Sequence, residues 1–192
     1  MAKQQIIRRA LHRQTQEPDE SIIWPKRLLI PGKLRYARLV PLERTKGKPL
    51  YVNRYGHGFS CHVLKNLVDA NTGERVFLLK PIKNQINGEY RGILCHTGKQ
   101  YRQFQHHGNI LVHHAVLLAW VGPRPEGCQC DHLNGNNVDN RCCNLQWVTQ
   151  SENIKRGNTL RRLRRLHETH PELYKDPAKM TREELLHLFS QE

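Results

Sequence analysis

The amino-acid sequence predicts an α+β fold: a small antiparallel β module, a compact strand–loop–strand–helix unit, and a basic helical C-terminal tail. Residues 50–105 contain short apolar runs separated by Gly- and Asn-rich turns, which is typical of antiparallel strands. Residues 128–153 contain two strand-like runs around an Asn-rich loop, followed by a helix-start signal. We expect four segments: a basic N-terminal extension (1–49), the β module (50–105), the central unit (106–157) and the tail (158–192).

Composition favours an anionic partner. The 192 residues include 31 Lys plus Arg against 17 Asp plus Glu, a formal charge of +14. A field of that sign favours nucleic acid, although charge alone is equally compatible with a non-catalytic protein that binds RNA or ribosomes. No apolar run approaches the ~20 residues that cross a bilayer, so we expect no membrane partner. Residues 1–16 lack a hydrophobic secretory core, and the expected compartment is the cytoplasm.

The N-terminal half predicts short strands with exposed basic side chains. Prolines limit residues 22–49 to short or edge strands. Turns at residues 53–58 and 69–73 delimit strand-like runs that continue to residue 105. Lys80 and Arg91 are candidate contacts to DNA phosphates, because Lys and Arg supply many such contacts. An ordinary solvated strand face is the alternative.

An apolar helix is predicted over residues 110–121 and ends at the Gly- and Pro-rich residues 122–127. His113 and His114 are adjacent, so they lie on different faces of this helix. A histidine inside such a helix is more often a packing residue than a ligand.

The central unit gathers the side chains that carry chemistry. Asp131 and His132 are adjacent, and Asn144 and Asn153 follow twelve and twenty-one positions after the histidine. Carboxylate and amide oxygens suit Mg²⁺ or Mn²⁺ better than zinc. A neutral imidazole can take a proton from water near neutral pH. The combination indicates metal-assisted hydrolysis of a phosphodiester.

Strand geometry limits how these residues can share one site. Alternation along a strand sends Asp131 and His132 to opposite faces, so both serve one site only where the strand ends or bends. The Asn- and Gly-rich residues 134–137 favour such a turn. Thr149 and Glu152 form a predicted capping box, which places Asn153 in the first turn of a helix.

Six cysteines raise the question of zinc. Cys128, Cys130, Cys142 and Cys143 flank one loop. Structural zinc sites usually space their cysteines by two to four residues, and adjacent cysteines rarely both reach one ion. Free thiols are therefore the favoured interpretation, and a zinc site is not expected.

These residues resemble the HNH endonucleases, in the phage and intron homing branch in which asparagine replaces the third histidine. The resemblance covers about residues 109–157 and is carried by an ordered set of motifs: Val112-His113-His114-Ala115-Val116, Asp131-His132-Leu133-Asn134-Gly135-Asn136, Asn140-Arg141, Asn144-Leu145-Gln146-Trp147-Val148-Thr149 and Ser151-Glu152-Asn153. Upstream, residues 50–56 and 79–81 are more weakly similar to a DNA-contacting module that often precedes this domain.

The resemblance implies a ββα-metal nuclease domain and a role for each site residue. Asp131 and Asn153 would bind one Mg²⁺ or Mn²⁺, and His132 would act as the general base. Asn144 would hold the loop so that His132 points correctly, and His113 occupies the position of the family's own histidine. The implied substrate is double-stranded DNA, cut in one strand per active site by a monomer, in a bacterial or phage-infected cell. A catalytically inactive, nuclease-derived DNA-binding protein is the alternative.

The tail carries dense positive charge at helical spacing. Leucines at positions 160, 163 and 166 form a narrow apolar stripe flanked by arginines. Six cations between residues 155 and 165 without neighbouring acids favour contact with DNA phosphates over a merely solvated face. The candidate DNA-binding residues of the central unit and tail are Arg141, Lys155, Arg156, Arg161, Arg162, Arg164 and Arg165.

Overall fold

The computed structural model describes five stretches of the chain, which form antiparallel sheets and helices as the α+β prediction requires. These stretches are residues 23–30, 35–42, 48–68, 75–87 and 101–190. Residues 1–16 of the N-terminal extension, the DNA-binding candidate Arg91 and the cysteine at position 95 lie outside the described residues.

The N-terminal part is a five-stranded antiparallel sheet in simple sequential order. Its strands are β1 (Arg27–Leu29), β2 (Tyr36–Leu39), β3 (Leu50–Val52), β4 (Gly58–Val68) and β5 (Arg75–Ile82). The expected boundary between residues 49 and 50 falls between β2 and β3, which are hydrogen-bonded neighbours. The N-terminal extension and the β module therefore share one sheet. Leu50, Tyr51 and Val52 are all fully buried, because β3 is the central strand.

A second sheet leads directly into the first helix. Its antiparallel strands are β6 (Asn84–Asn87), β7 (Tyr101–Gln105) and β8 (Asn109–Leu111), and helix α1 (Val112–Trp120) follows. The predicted helix at 110–121 starts two residues later than expected, since Leu111 is still paired with Gln103 of β7. The main apolar core forms around α1, with Val116 and Leu117 fully buried against the strands.

The central unit is a two-stranded antiparallel hairpin followed by a long helix. The strands are β9 (Cys128–His132) and β10 (Leu145–Thr149), and helix α2 (Gln150–Thr169) begins at the end of β10. Thr149 and Glu152 form the predicted capping box in full, which confirms the position of the helix start. Helix α2 continues without interruption through Gly157, so the expected boundary at 157/158 lies inside one element.

A short C-terminal helix, α3 (Arg182–Ser190), returns to the hairpin. A second capping box begins this helix: Thr181 N–H donates to Glu184 at 2.7 Å, and Glu184 N–H donates to Thr181 Oγ1 at 3.2 Å. Arg182 donates to the carbonyl oxygens of Cys143 and Leu145 at 2.8 and 3.2 Å. These bonds attach the tail to the central unit. None of the described helices is long and apolar enough to cross a membrane.

Candidate active site

The hairpin brings Asp131 and His132 to the end of one strand. His132 is paired with Leu145 and Asp131 with Gln146, and β9 ends at His132. The chain then turns back at Gly135, whose φ is 70° and whose N–H donates to the His132 carbonyl at 2.8 Å. Asp131 and His132 therefore lie on different faces of β9, as strand alternation predicts, at the point where the strand ends.

The imidazole of His132 is buried and has a defined partner in the loop. His132 Nε2 lies 3.3 Å from Asn140 Oδ1, and Asn140 Nδ2 donates to the Val138 carbonyl at 3.2 Å. Since the Asn140 amide nitrogen is used as a donor, its oxygen must accept from Nε2–H. This tautomer leaves His132 Nδ1 as the nitrogen that can accept a proton.

His113 packs directly on this imidazole. Its ring lies 5.1 Å from that of His132 in an edge-to-face arrangement, and the Tyr101 ring lies close to both, 5.2 Å from His113 and 6.3 Å from His132. Burial lowers the pKa of His113 to about 3, and the charges of His132 and His114 act in the same direction. His113 is therefore neutral, and its Nδ1 is a buried polar atom without a hydrogen-bond partner among the described side chains. The His113 ring is thus packed inside the protein with one polar atom that has no partner among the described residues.

Asn144 fixes the shape of the loop. Its Oδ1 accepts from Asn134 N–H at 3.0 Å, and its Nδ2 donates to Asn134 Oδ1 and the Asp139 carbonyl, both at 2.9 Å. The expected role of Asn144 was to hold the loop so that His132 points correctly. The atom that contacts the imidazole belongs to Asn140, which had no expected role. The signal that could have identified Asn140 as a site residue was its place in the Asn140-Arg141 motif, eight residues after His132.

Asp131 faces helix α2 and forms an ion pair there. Arg156 Nη1 lies 3.1 Å from Asp131 Oδ2, and both side chains are mostly buried. Burial raises the pKa of Asp131, while the charge and hydrogen bond of Arg156 and the nearby His132 oppose that rise. Arg156 also stacks on the ring of Phe189 in α3. Its expected role as an uncompensated cation is wrong, since its charge is already balanced by Asp131.

Asn153 lies three residues before Arg156, in the first turn of α2. Residues three apart share one helix face, and Arg156 contacts Asp131, so this face of α2 is turned toward the hairpin. Further along the same face, Leu160 approaches Gly135 so closely that an added Cβ at Gly135 would lie 3.0 Å from Leu160 Cδ1. The helix face that carries Asn153 is thereby held against the hairpin and its loop.

The available metal donors are oxygens. Among the residues that the structure describes, no three His, Cys, Asp or Glu side chains are gathered as a metal site. The four described cysteines around the loop are free thiols: Cys128, Cys130, Cys142 and Cys143. A carboxylate such as that of Asp131 and an amide such as that of Asn153 are donor types that suit a hard divalent cation whose remaining positions are taken by water or phosphate oxygens.

The other predicted DNA contacts are distributed over the surface. Arg141 is exposed, but two of its nitrogens donate to Asp139, at 2.8 and 2.7 Å. Lys80 is exposed on β5, a strand that lies well before the hairpin in the sequence. The exposed cations of α2 are Lys155, Arg161, Arg162, Arg164 and Arg165. The helix therefore presents a basic surface that begins beside Asp131.

Comparison with known proteins agrees with this geometry. Residues 111–155 match the family model described as HNH endonuclease. The chain is also 34% identical over 90 residues to DNA endonuclease I-HmuI of Bacillus phage SP01, a match that covers 45% of this chain and 48% of that protein. The chain thus spans about half the length of this relative. No solved structure matches. Residues 111–155 therefore form an HNH endonuclease domain.

Proposed function

We propose that this protein is a metal-dependent DNA endonuclease of homing type that nicks one strand of double-stranded DNA. The observation that carries the proposal is the oriented pair of His132 and Asn140 at the strand end beside Asp131. The match to the HNH family and the similarity to a phage DNA endonuclease support it. In this proposal β9, β10 and α2 are the ββα-metal unit.

His132 is the general base of the proposed reaction. Asn140 accepts the Nε2 proton, so Nδ1 can remove a proton from the attacking water. His113 supports the face of the imidazole, and Asn144 holds the loop that carries Asn140. These two are positioning residues: they touch His132 or its loop and have no required contact with DNA.

Asp131 and Asn153 are the proposed ligands of one Mg²⁺ or Mn²⁺. When bound, such an ion polarises the scissile phosphate and stabilises the leaving oxygen. The Asp131 carboxylate is mostly buried, at the end of β9, where the protein holds it in a fixed position for this role. The first turn of α2 gives Asn153 a rigid support, which the capping box stabilises.

The basic face of α2 is the proposed track for the DNA backbone near the cut. Arg161, Arg164 and Arg165 are exposed and can each contact phosphates. One base and one metal form a single centre, so one chain would cut one strand. Binding would be strongly salt-dependent, because each phosphate contact releases counterions.

A catalytically inactive DNA-binding protein is the second candidate function. The Asp131–Arg156 ion pair favours it, because a carboxylate already neutralised by a guanidinium binds a cation less readily. The two candidates differ in whether Arg156 leaves Asp131 when DNA and metal arrive.

The test is nicking of a pool of supercoiled plasmids with random inserts, in Mg²⁺ or in EDTA, with nick positions mapped by sequencing. We expect metal-dependent nicks at a defined sequence. His132→Ala should reduce the rate by a factor of about 100 to 10,000, the usual contribution of a general base. The control is Asn137→Ala in the same loop. Specific binding without nicks under any divalent metal would favour the inactive candidate.

A further inference from the structure

A cluster of arginines and aromatic rings lies outside the proposed active site. We define the arginine recess as Arg27, Arg35, Arg38 and Arg54 together with the rings of Tyr36, Tyr55 and Trp120. These residues line a hollow of about 260 Å³ formed by the N-terminal sheet and the end of α1. Of the four arginines, only Arg54 belongs to a segment that was expected to contact DNA, residues 50–56.

Each guanidinium in the arginine recess lies over an aromatic ring. Arg38 and Arg54 lie 4.3 and 4.9 Å from the centroid of the Trp120 ring. Arg27 lies 4.5 Å from the centre of Tyr36, and Arg35 lies 4.7 Å from that of Tyr55. Stacking orients a guanidinium while leaving its N–H edge available to a phosphate.

The indole of Trp120 is itself fixed, because its Nε1 donates to the Val52 carbonyl at 3.0 Å. That bond ties the end of α1 to the central strand of the N-terminal sheet. Two of the four cations are therefore held on a rigid ring rather than on flexible side chains alone.

The positive charges of the arginine recess are not balanced within the described protein. Arg27 and Arg38 are directly opposite each other on β1 and β2, an arrangement of like charges that destabilises a sheet. Across the described ranges, the ion pairs join Asp131 to Arg156, Asp139 to Arg141 and Glu172 to His170, and none involves the recess. An arrangement that costs stability in the free protein is readily explained by an anionic ligand that removes the cost.

The arginine recess adjoins the loop of the proposed active site. Cys142 N–H donates to the Arg54 carbonyl at 2.8 Å. A Cβ added to Gly56 would lie 3.2 Å from the Asn140 Cβ. Burial raises the pKa of the Cys142 thiol, and the charges of Arg54 and Arg38 oppose this rise, so the guanidiniums are near that thiol. An anion in the recess would thus lie beside the loop that holds His132.

We propose that the arginine recess binds phosphodiester groups of the DNA backbone that flanks the cut site. The proposal rests on the proposed function for the identity of the polyanion, but it concerns a separate surface from the basic face of α2. DNA would then be bound by two surfaces, the basic face of α2 and the arginine recess, and both adjoin the catalytic loop. Four stacked, bidentate donors suit two neighbouring phosphates better than a single free anion.

The test measures binding in EDTA, in a His132→Ala background, so that cleavage plays no part. Arg27→Gln/Arg38→Gln is compared with Lys175→Gln/Lys179→Gln, which removes two exposed charges from another part of the surface. We expect the recess variant to bind a labelled target duplex at least about tenfold more weakly. The slope of log K against log salt should fall by about 2, since two phosphate contacts are lost. The lysine control should bind less than about threefold more weakly.

Two further arms make the result decisive. The variant Arg27→Lys/Arg38→Lys keeps both positive charges but loses the planar guanidinium groups that stack on the aromatic rings. We expect its affinity for the duplex to lie between those of the parent protein and the glutamine variant. Inorganic phosphate at constant ionic strength should not release the duplex; release would assign the recess to free anions and overturn the proposal.

Urea unfolding should show the glutamine variant to be at least as stable as its parent, because a like-charge pair is removed. Equal weakening by the recess and lysine variants would also overturn the proposal.

The proposed function and this inference fail separately. If the wild-type protein never nicks DNA but its binding depends on the arginine recess, the nuclease assignment fails and the recess assignment stands. If it nicks DNA and the recess variant binds normally, only the recess assignment fails.

Discussion

Nε2 of His132 lies 3.3 Å from Oδ1 of Asn140, and this contact determines which nitrogen of the imidazole carries the proton. The two residues are eight positions apart and are brought together by the reversal of the chain at Gly135. Two asparagines of the loop have different roles: Asn140 orients the imidazole, and Asn144 holds the loop in place.

Replacing Asn140 with alanine should slow cleavage without weakening DNA binding. His132 would lose the acceptor that fixes its tautomer, and loss of such a supporting partner typically costs about 10- to 100-fold in activity. Single-turnover nicking and binding in EDTA measure the two effects separately. Asn137→Ala is the matched control from the same loop and should retain the wild-type rate. A wild-type nicking rate for Asn140→Ala would show that this hydrogen bond does not position the base.

Replacing Asn144 with alanine should destabilise the protein. Asn144 is 4% exposed and makes three hydrogen bonds, and the change leaves buried partners unsatisfied. We expect a loss of about 1–3 kcal/mol in the free energy of unfolding, measured with urea. Asn158→Ala, on the exposed side of α2, should change the same quantity by less than about 0.5 kcal/mol. Equal effects from the two variants would contradict the role given to Asn144.

Protonation of His113 should make stability depend on pH. Its folded-state pKa of about 3 lies below the ordinary value of 6.5, so below pH 6.5 the unfolded chain binds more protons than the folded protein. The stabilising contribution is fully present above pH 6.5 and is lost progressively as the pH falls toward 3.

The measurement is urea unfolding of wild type and His113→Gln at pH 7 and pH 5. The wild type should lose about 2 kcal/mol more than the variant over this interval, since one pKa unit corresponds to about 1.4 kcal/mol. The other histidines are present in both proteins, and their contributions cancel. Parallel losses in the two proteins would mean that His113 titrates normally in the folded state.

Gly135→Ala should cost more than the same change at Gly127. Both glycines have φ of 70°, but a Cβ at Gly135 would meet Leu160 at 3.0 Å, whereas a Cβ at Gly127 would meet nothing within 4 Å. Each alanine should lower the free energy of unfolding by about 1–2 kcal/mol, because its backbone would have to adopt a left-handed conformation. Only Gly135→Ala should also push α2 from the hairpin and slow nicking. Unfolding and nicking of the two variants give the comparison, and identical behaviour would refute the packing argument.

The hairpin and the start of α2 could be predicted because their signals are local. The two strand-like runs predicted within residues 128–153 form β9 and β10, and the capping box of Thr149 and Glu152 forms as predicted. A capping box involves residues only three apart, so the sequence contains all the information it needs.

The remaining features depend on contacts between distant residues. Arg156 pairs with Asp131 twenty-five positions earlier, a contact that no pattern in the residues around Arg156 indicates. Likewise, the start of α1 is set by the pairing of Leu111 with β7 rather than by local propensity. The arginine recess requires Trp120 to lie beside β2, which only the tertiary fold provides.

The most direct test of the account is chemical rescue of His132→Ala with free imidazole, in a single-turnover nicking assay on the mapped target with Mg²⁺. The variant should be nearly inactive alone and should recover nicking, at the same phosphodiester, as imidazole is added. Imidazole should give no such gain to Asp131→Ala, which lacks a proposed metal ligand. Wild-type nicking by His132→Ala without imidazole would contradict the claim that His132 is the base.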